Sequence, residues 1–346
     1  MAYTTIDDPS DYFNTKLYTG NGGTQAITGI GFAPNWVWIK RRSSTQKSGL
    51  YDTVRGATKV LASDATDAES THDALTAFGT DGFTLGNIGR TNTNNETYVA
   101  WNWKAGTSFT NDASGTGIGS IDSAGSVNTD AGFSIVTYTG TGSAATVAHG
   151  LGVAPKMIIN RTISASKDWI TYHASLGATK FVELNTTDAV ATSSDKFNNT
   201  EPTSTVFSIE SSSQNNTSGG TCLAYCFAEK QGYSKFGSYV GNGSSSGTYV
   251  HLGFKPAWLM IKKSSATEEW YMYDNKRTPF NEIAKGLAAN LSGAEFDTGA
   301  TIDFLSNGFK NTGTNTGTNA SGATYIYMAF AENPFVTSTG VPACAR

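Results

Sequence analysis

Apolar and polar positions alternate most regularly in Tyr98-Val-Ala-Trp-Asn-Trp-Lys104, Cys222-Leu-Ala-Tyr-Cys-Phe-Ala228 and Tyr325-Ile-Tyr-Met-Ala-Phe-Ala331. A period of two is that of a β-strand with one face in a core. The alternation predicts that Val99, Trp101 and Trp103, with Leu223, Tyr225 and Phe227 and with Ile326, Met328 and Phe330, point into cores. Another run, Trp36 to Lys40, is apolar on both faces and predicts a strand covered from both sides. One stretch, 57–68, suggests a helical turn.

These strands belong to a longer pattern that occurs three times. Tyr18-Thr-Gly-Asn-Gly22, Gly31-Phe-Ala-Pro34 and Trp36 to Lys40 correspond to Tyr138-Thr-Gly-Thr-Gly142, Gly152-Val-Ala-Pro155 and Met157 to Arg161. They correspond again to Tyr239-Val-Gly-Asn-Gly243, Gly253-Phe-Lys-Pro256 and Trp258 to Lys262. From Tyr to Pro the spacing is 16, 17 and 17 residues, and successive copies start 120 and 101 residues apart. Such self-similarity predicts tandem units that bury surface against one another. The expected fold is all-β: three tandem homologous β-sandwich or small β-barrel repeats, with arrangement about a pseudo-threefold axis as one option.

The expected divisions are a first repeat over 1–106, including a lead-in, and a second over 132–231. The third covers 232–334 and follows the second without a gap, which predicts direct packing between them. Residues 107–131, rich in Gly, Ser, Asp and Asn, read as a linker or long loop. Residues 335–346 read as a tail that needs a partner to hold it.

Composition supports a turn-rich β-protein. Charged residues are 15% of the chain, against roughly 25% in an average soluble domain, while there are 38 glycines. The net charge of −4 and the scattered Lys and Arg argue against a nucleic-acid partner. Neither a secretory leader nor an apolar run of membrane-spanning length is legible, so no membrane partner is expected. Three cysteines make no disulfide framework. Cys222 and Cys226 would lie about 13 Å apart on one strand face, too far to bridge.

Candidate chemistry is sparse. Tyr51-Asp52-x-x-Arg55 and Tyr273-Asp274-x-x-Arg277 place an acid and a base at matching positions, where the middle copy has Tyr172-His173-x-x-Leu176. Without a fixed nucleophile nearby, these read as ion pairs or turn bonds. His149 and His251 sit in corners before the Gly-x-x-Pro turns, and no spacing supplies converging metal ligands. The acids at Glu268, Glu269, Asp64, Asp67 and Glu69 lie in polar turns. Catalytic residues, cofactor and metal are therefore all expected to be none. Aromatic residues make up 12%, and four of them, Tyr12, Trp169, Tyr249 and Trp270, are candidate surface contacts for a sugar ring or a protein partner.

The triple pattern, from Tyr-x-Gly-x-Gly through Gly-x-x-Pro and Tyr-Asp to the closing Phe-Ala-Glu strand, resembles a repeat family of unknown function. That family occurs in virion proteins of tailed phages, notably those of marine and freshwater bacteria. The resemblance covers about residues 11–334 and departs in the middle copy at His173, Leu176 and Val206-Phe207. It implies a virion structural protein, commonly tail-fibre-like, made in the host cytoplasm and located in the virion, with no characterised active site. The expected function is a non-enzymatic tail-fibre or receptor-binding component for host attachment. Its partners would be other tail or capsid proteins, a host-surface glycan or protein, and further copies of itself. A capsid decoration protein at a threefold position is an alternative. A carbohydrate-active tailspike and a lectin-like secreted module are alternatives of other classes.

Overall fold

The computed structural model describes residues 2–343. The protein is all-β, and its helices among the described residues are single turns such as Gly89–Asn92 and Thr316–Asn319. None is long and apolar enough to cross a membrane.

One strand order is found in three places. The strand Phe13–Thr19 lies beside Thr97–Trp103, then Trp36–Arg41, then Gly49–Asp52. Phe133–Thr139, Thr221–Phe227, Met157–Thr162 and Ile170–His173 follow the same order, as do Ser234–Val240, Thr324–Pro334, Phe254–Lys263 and Trp270–Asp274. The registers agree too. Phe13 and Trp36 flank Trp103, Phe133 and Met157 flank Phe227, and Ser234 and Trp258 flank Phe330.

The two faces of these sheets have different fates. All nine residues expected to face cores, from Val99 to Phe330, meet in one common apolar cluster with Trp36, Trp38, Met157, Ile159, Trp258 and Met260. The intervening residues face outwards into three separate clusters. Tyr98 and Ala100 lie in one, Cys222, Ala224 and Cys226 in another, and Tyr325, Tyr327 and Ala329 in the last. Further strands cover these outer faces. Ile27 and Phe83 come from a small separate sheet, Val147 and Phe207 from another, and Val250 and Phe309 from strands that continue the third inner sheet itself. Each inner sheet is thus covered on both sides, as the apolar run at Trp36 to Lys40 predicts.

Aromatic rings dominate the common centre. Trp36 stacks on Tyr225 with ring centroids 4.4 Å apart, and Phe13 stacks on Phe330 at 5.2 Å. Trp103 meets both Phe330 and Trp258 edge-on at 5.7 Å, and Phe227 meets Phe330 at 6.2 Å. Edge-on and offset contacts are the arrangements ring quadrupoles favour.

The Tyr-x-Gly-x-Gly motif has a structural cause. Gly20, Gly140 and Gly241 lie so close to a following loop that a Cβ would come within 2.3, 2.3 and 2.4 Å of the carbonyls of Thr93, Thr217 and Ala320. The same loops carry the buried Asn92, Asn216 and Asn319, whose side-chain oxygens accept from the backbone of Asn21, Thr141 and Asn242. The tyrosines lock the loops from the other side, since Tyr18, Tyr138 and Tyr239 donate to the carbonyls of Thr91, Asn215 and Thr318.

Three expectations need correction or completion. Residues 107–131 are not a linker. Thr107–Asn111 and Ser123–Asn128 extend the middle sheet, with Ser123 paired to Tyr138. Their small side chains reflect close approach rather than flexibility, for a Cβ on Gly125 would sit 1.9 Å from the carbonyl of Ile135. No helix forms over 57–68. Lys59–Val60 pairs with Ser70–Thr71, and Leu61 bonds Leu50 in both directions, so tertiary pairing overrides the local preference. The described part of the tail, to residue 343, is tied to the start of the chain, where Asp7 accepts from the Ser338 amide at 2.6 Å, and it folds on itself through a bridge between Val336 and Pro342.

Candidate functional site

The acid–base pairs read from the sequence form, and each also reaches a neighbouring sheet. Arg55 Nε donates to Asp52 Oδ2 at 2.6 Å, and Arg277 Nε donates to Asp274 Oδ2 at 2.6 Å. Each arginine also donates to a backbone carbonyl of its own hairpin, Leu50 and Met272. A second acid, Glu69 or Glu295, takes the far guanidinium nitrogen at 3.2 or 3.4 Å. Asp52 and Asp274 are wholly buried, as befits carboxylates that are paired and hydrogen-bonded.

The free lone pairs of these carboxylates face across the seams. Tyr225 donates its hydroxyl to Asp52 at 2.8 Å, and Trp101 donates its indole N–H to Asp274 at 3.1 Å. At the third seam the donor is His173, whose Nε2 lies 3.1 Å from the carbonyl of Tyr327. Its Nδ1 accepts from the Ser175 amide, so the ring is neutral with the proton on Nε2. Burial holds its pKa at about 4.

Three buried cations lie one row further along. Lys40, Arg161 and Lys262 pair with Val99, Leu223 and Ile326, and all three are shielded from solvent. Each reaches loop carbonyls of a neighbouring sheet. Lys40 donates to Leu291 at 2.6 Å, Arg161 to Ala65, Thr66 and Asp67 at 3.3, 2.7 and 2.9 Å, and Lys262 to Thr187 at 2.7 Å. Desolvation pushes the two ammonium groups down to about 8 and the guanidinium to about 10.

Backbone bonds seal the same seams. Gln46 donates to Ser292 while Glu295 donates to Arg42. Lys167 donates to Thr66 while Glu69 donates to Ile163. Glu268 donates to Thr187 while Val190 donates to Ser264. The three cation contacts run in one rotational sense, Lys40 to Leu291, Lys262 to Thr187 and Arg161 to Thr66, so they close a ring. Sequence reasoning marked the ends of the runs at Lys40, Arg161 and Lys262 without assigning them a role. Their alignment, a cation closing each of the three apolar runs, was the available signal.

The four candidate contact aromatics separate into two classes. Trp169 and Trp270 are not surface residues, being 0% and 2% exposed. Their indole N–H groups donate across seams to the carbonyls of Ala62 and Glu183, because a Trp at a seam buries its ring while still finding an acceptor. Tyr12 is half-buried edge-on to Tyr233, with the Lys104 ammonium over its ring. Tyr249 is 43% exposed and bonds His251 Nδ1. The most exposed large hydrophobic side chain among those described is Phe280, at 81%, which sequence reasoning missed. The polar turn Thr278-Pro-Phe-Asn281, with one aromatic at its tip, carried that signal.

The remaining titratable groups are dispersed. His149 is buried, accepting from the Leu151 amide and facing the carbonyl of Thr203, and burial lowers its pKa to about 4. Cys222 and Cys226 are buried free thiols that burial pushes upward. Among the described residues no three His, Cys, Asp or Glu side chains gather as a metal-ligand group.

Fold and seams together define an all-β protein whose sheets are gathered on one aromatic core. Residues 8–334 match the model of a domain of unknown function (DUF7483), and the chain belongs to that family. No curated protein matches it.

Proposed function

We propose that the chain is a non-enzymatic virion surface protein of a tailed phage, a tail-fibre or receptor-binding component. In this reading it consists of three tandem copies of one β-sandwich, closed about a pseudo-threefold axis. The observation that carries the reading is the ring of seam contacts. Lys40, Arg161 and Lys262 each reach into a neighbouring sheet, while Asp52, Asp274 and His173 are committed to holding seams. A scaffold of that kind keeps its shape while its loops vary, which suits the display of contact surface on a particle. Its partners are other virion proteins and a host-surface glycan or protein.

A specific observation also favours capsid decoration. One chain already closes the three-sided ring, so a local threefold position could be filled without assembling a trimer. Quantitative mass spectrometry of purified virions, with antibody labelling in the electron microscope, separates the two readings. The attachment role predicts few copies per particle, labelled on the tail, and adsorption blocked by the antibody. Copies in the hundreds over the capsid would favour decoration. Absence from particles, or cleavage of a host polysaccharide by the purified chain, would overturn both.

A further inference from the structure

A groove of about 450 Å³ opens beside Phe280, lined by Lys255, Asn275, Lys276, Asn281 and Glu332 over a floor of Ile283 and Phe304. Asn275, Lys276 and Glu332 also line a smaller recess reaching Ser10 and Asn14, so the groove continues across a seam. We propose that this groove is a saccharide-binding site, taking one or two pyranose units of a surface glycan. The proposal rests on the attachment reading above and assigns it a ligand class and a place.

Four features support that ligand chemistry. Phe280 stands 81% exposed, and an aromatic face presented to solvent suits the C–H face of a sugar ring. The turn that carries the ring is anchored beforehand, because the next residue, Asn281, accepts from the Phe304 amide at 2.9 Å and donates to its carbonyl at 3.0 Å. A contact surface fixed before binding loses less entropy on association. Asn275 Oδ1 is shielded from solvent and has no donor, so a ligand hydroxyl would complete it. The exposed Lys276 and the Lys255–Glu332 pair, at 2.7 Å, supply donors and an acceptor on the other side.

The volume fits a small ligand rather than a chain segment. Among the described residues Phe280 is the only exposed large hydrophobic side chain lining the groove, whereas a protein-docking surface normally has a contiguous apolar centre. The ammonium groups of Lys255 and Lys276 against one carboxylate favour glycans bearing uronic acid or other acidic sugars.

The test uses the full chain on an array of bacterial O-antigen and capsular oligosaccharides, followed by calorimetric titration of the best binder. Binding is expected for at least one acidic oligosaccharide, weakened at least tenfold in Phe280→Ala and in Asn275→Ala with the melting temperature of Phe280→Ala unchanged. Array binding that both variants retain would overturn the site, as would no binding to any glycan. Phe280→Ala that instead releases another virion protein in pull-downs would reassign the groove to a protein partner. Particle incorporation of Phe280→Ala is read separately. A chain that enters virions yet binds no glycan refutes only the groove, whereas a chain absent from virions refutes the attachment reading.

Discussion

Tyr225 donates its hydroxyl to Asp52 at 2.8 Å across a seam, and this bond accounts for the odd chemistry of the middle sheet. Tyr225, Trp101 and Met328 occupy one register row, opposite Ile159, Trp38 and Met260. Tyr and Trp can donate to a buried carboxylate, and they face Asp52 and Asp274. Met328 cannot donate, and at its seam the acid is replaced by His173, which supplies its own proton to a backbone carbonyl. The compensating charges go with it. Arg55 and Glu69, like Arg277 and Glu295, give way to Leu176 and Val190, which pack against the apolar core.

This exchange predicts the outcome of restoring the acid at the wrong seam. His173→Asp should destabilise the protein by about 3–5 kcal/mol, the usual result of a buried charge without a partner. Adding Leu176→Arg should recover part of that loss. Denaturant midpoints of the single and double variants measure both, and equal midpoints would refute the compensation.

Trp38 and Trp101 are cross-strand neighbours, and both are buried. Only Trp101 has an acceptor, while the Trp38 N–H has none. Replacing either with Phe removes similar volume, but Trp101→Phe also strips Asp274 of a donor. Chemical unfolding should place Trp101→Phe about 1.5–3 kcal/mol below Trp38→Phe, the range for a hydrogen bond to a charged group.

Arg161 serves three successive carbonyls at Ala65, Thr66 and Asp67. An ammonium group is compact and cannot match that fork. Arg161→Lys should cost about 1–3 kcal/mol. Hydrogen exchange should quicken at the amides of Glu69 and Lys167, which bond across this seam, and remain unchanged at Gln46 and Glu268.

Acid should weaken the protein through its two buried imidazoles. His149 and His173 have pKa values lowered from 6.5 to about 4 by burial. The unfolded chain therefore takes up protons below 6.5 that the folded chain refuses. Their contribution is complete above 6.5, declines by roughly 1.4 kcal/mol per pH unit for each ring on the way to 4, and levels off below. His173→Gln removes one titrating ring. Its stability measured from pH 7 to 4.5 should fall less steeply than that of the parent chain, and parallel slopes would contradict this.

Much of the fold was legible because strand alternation is local. Val99, Trp101 and Trp103 revealed their faces by spacing alone, and the similar rows at Leu223 to Phe227 and Ile326 to Phe330 repeated the message. What spacing could not reveal was that these faces share one core, since that depends on how sheets meet. The same limit misplaced Trp169 and Trp270. A Trp at the start of a strand after a polar turn looks like a surface residue until a neighbouring sheet covers it. Residues 107–131 misled in another way, because Gly125 is required by strand contact and not by a flexible link. Asp52 and Arg55 were legible as a pair because only two residues lie between them. Tyr225, far away in sequence, was not.

The central claim is that the three sheets stand or fall together around one aromatic core. Differential scanning calorimetry of the intact chain and of Trp36→Ala tests it most directly. The account predicts a single transition with equal calorimetric and van't Hoff enthalpies, lowered as a whole by the substitution, whose cost should be about 3–5 kcal/mol. Separate transitions, with only one displaced in Trp36→Ala, would contradict it.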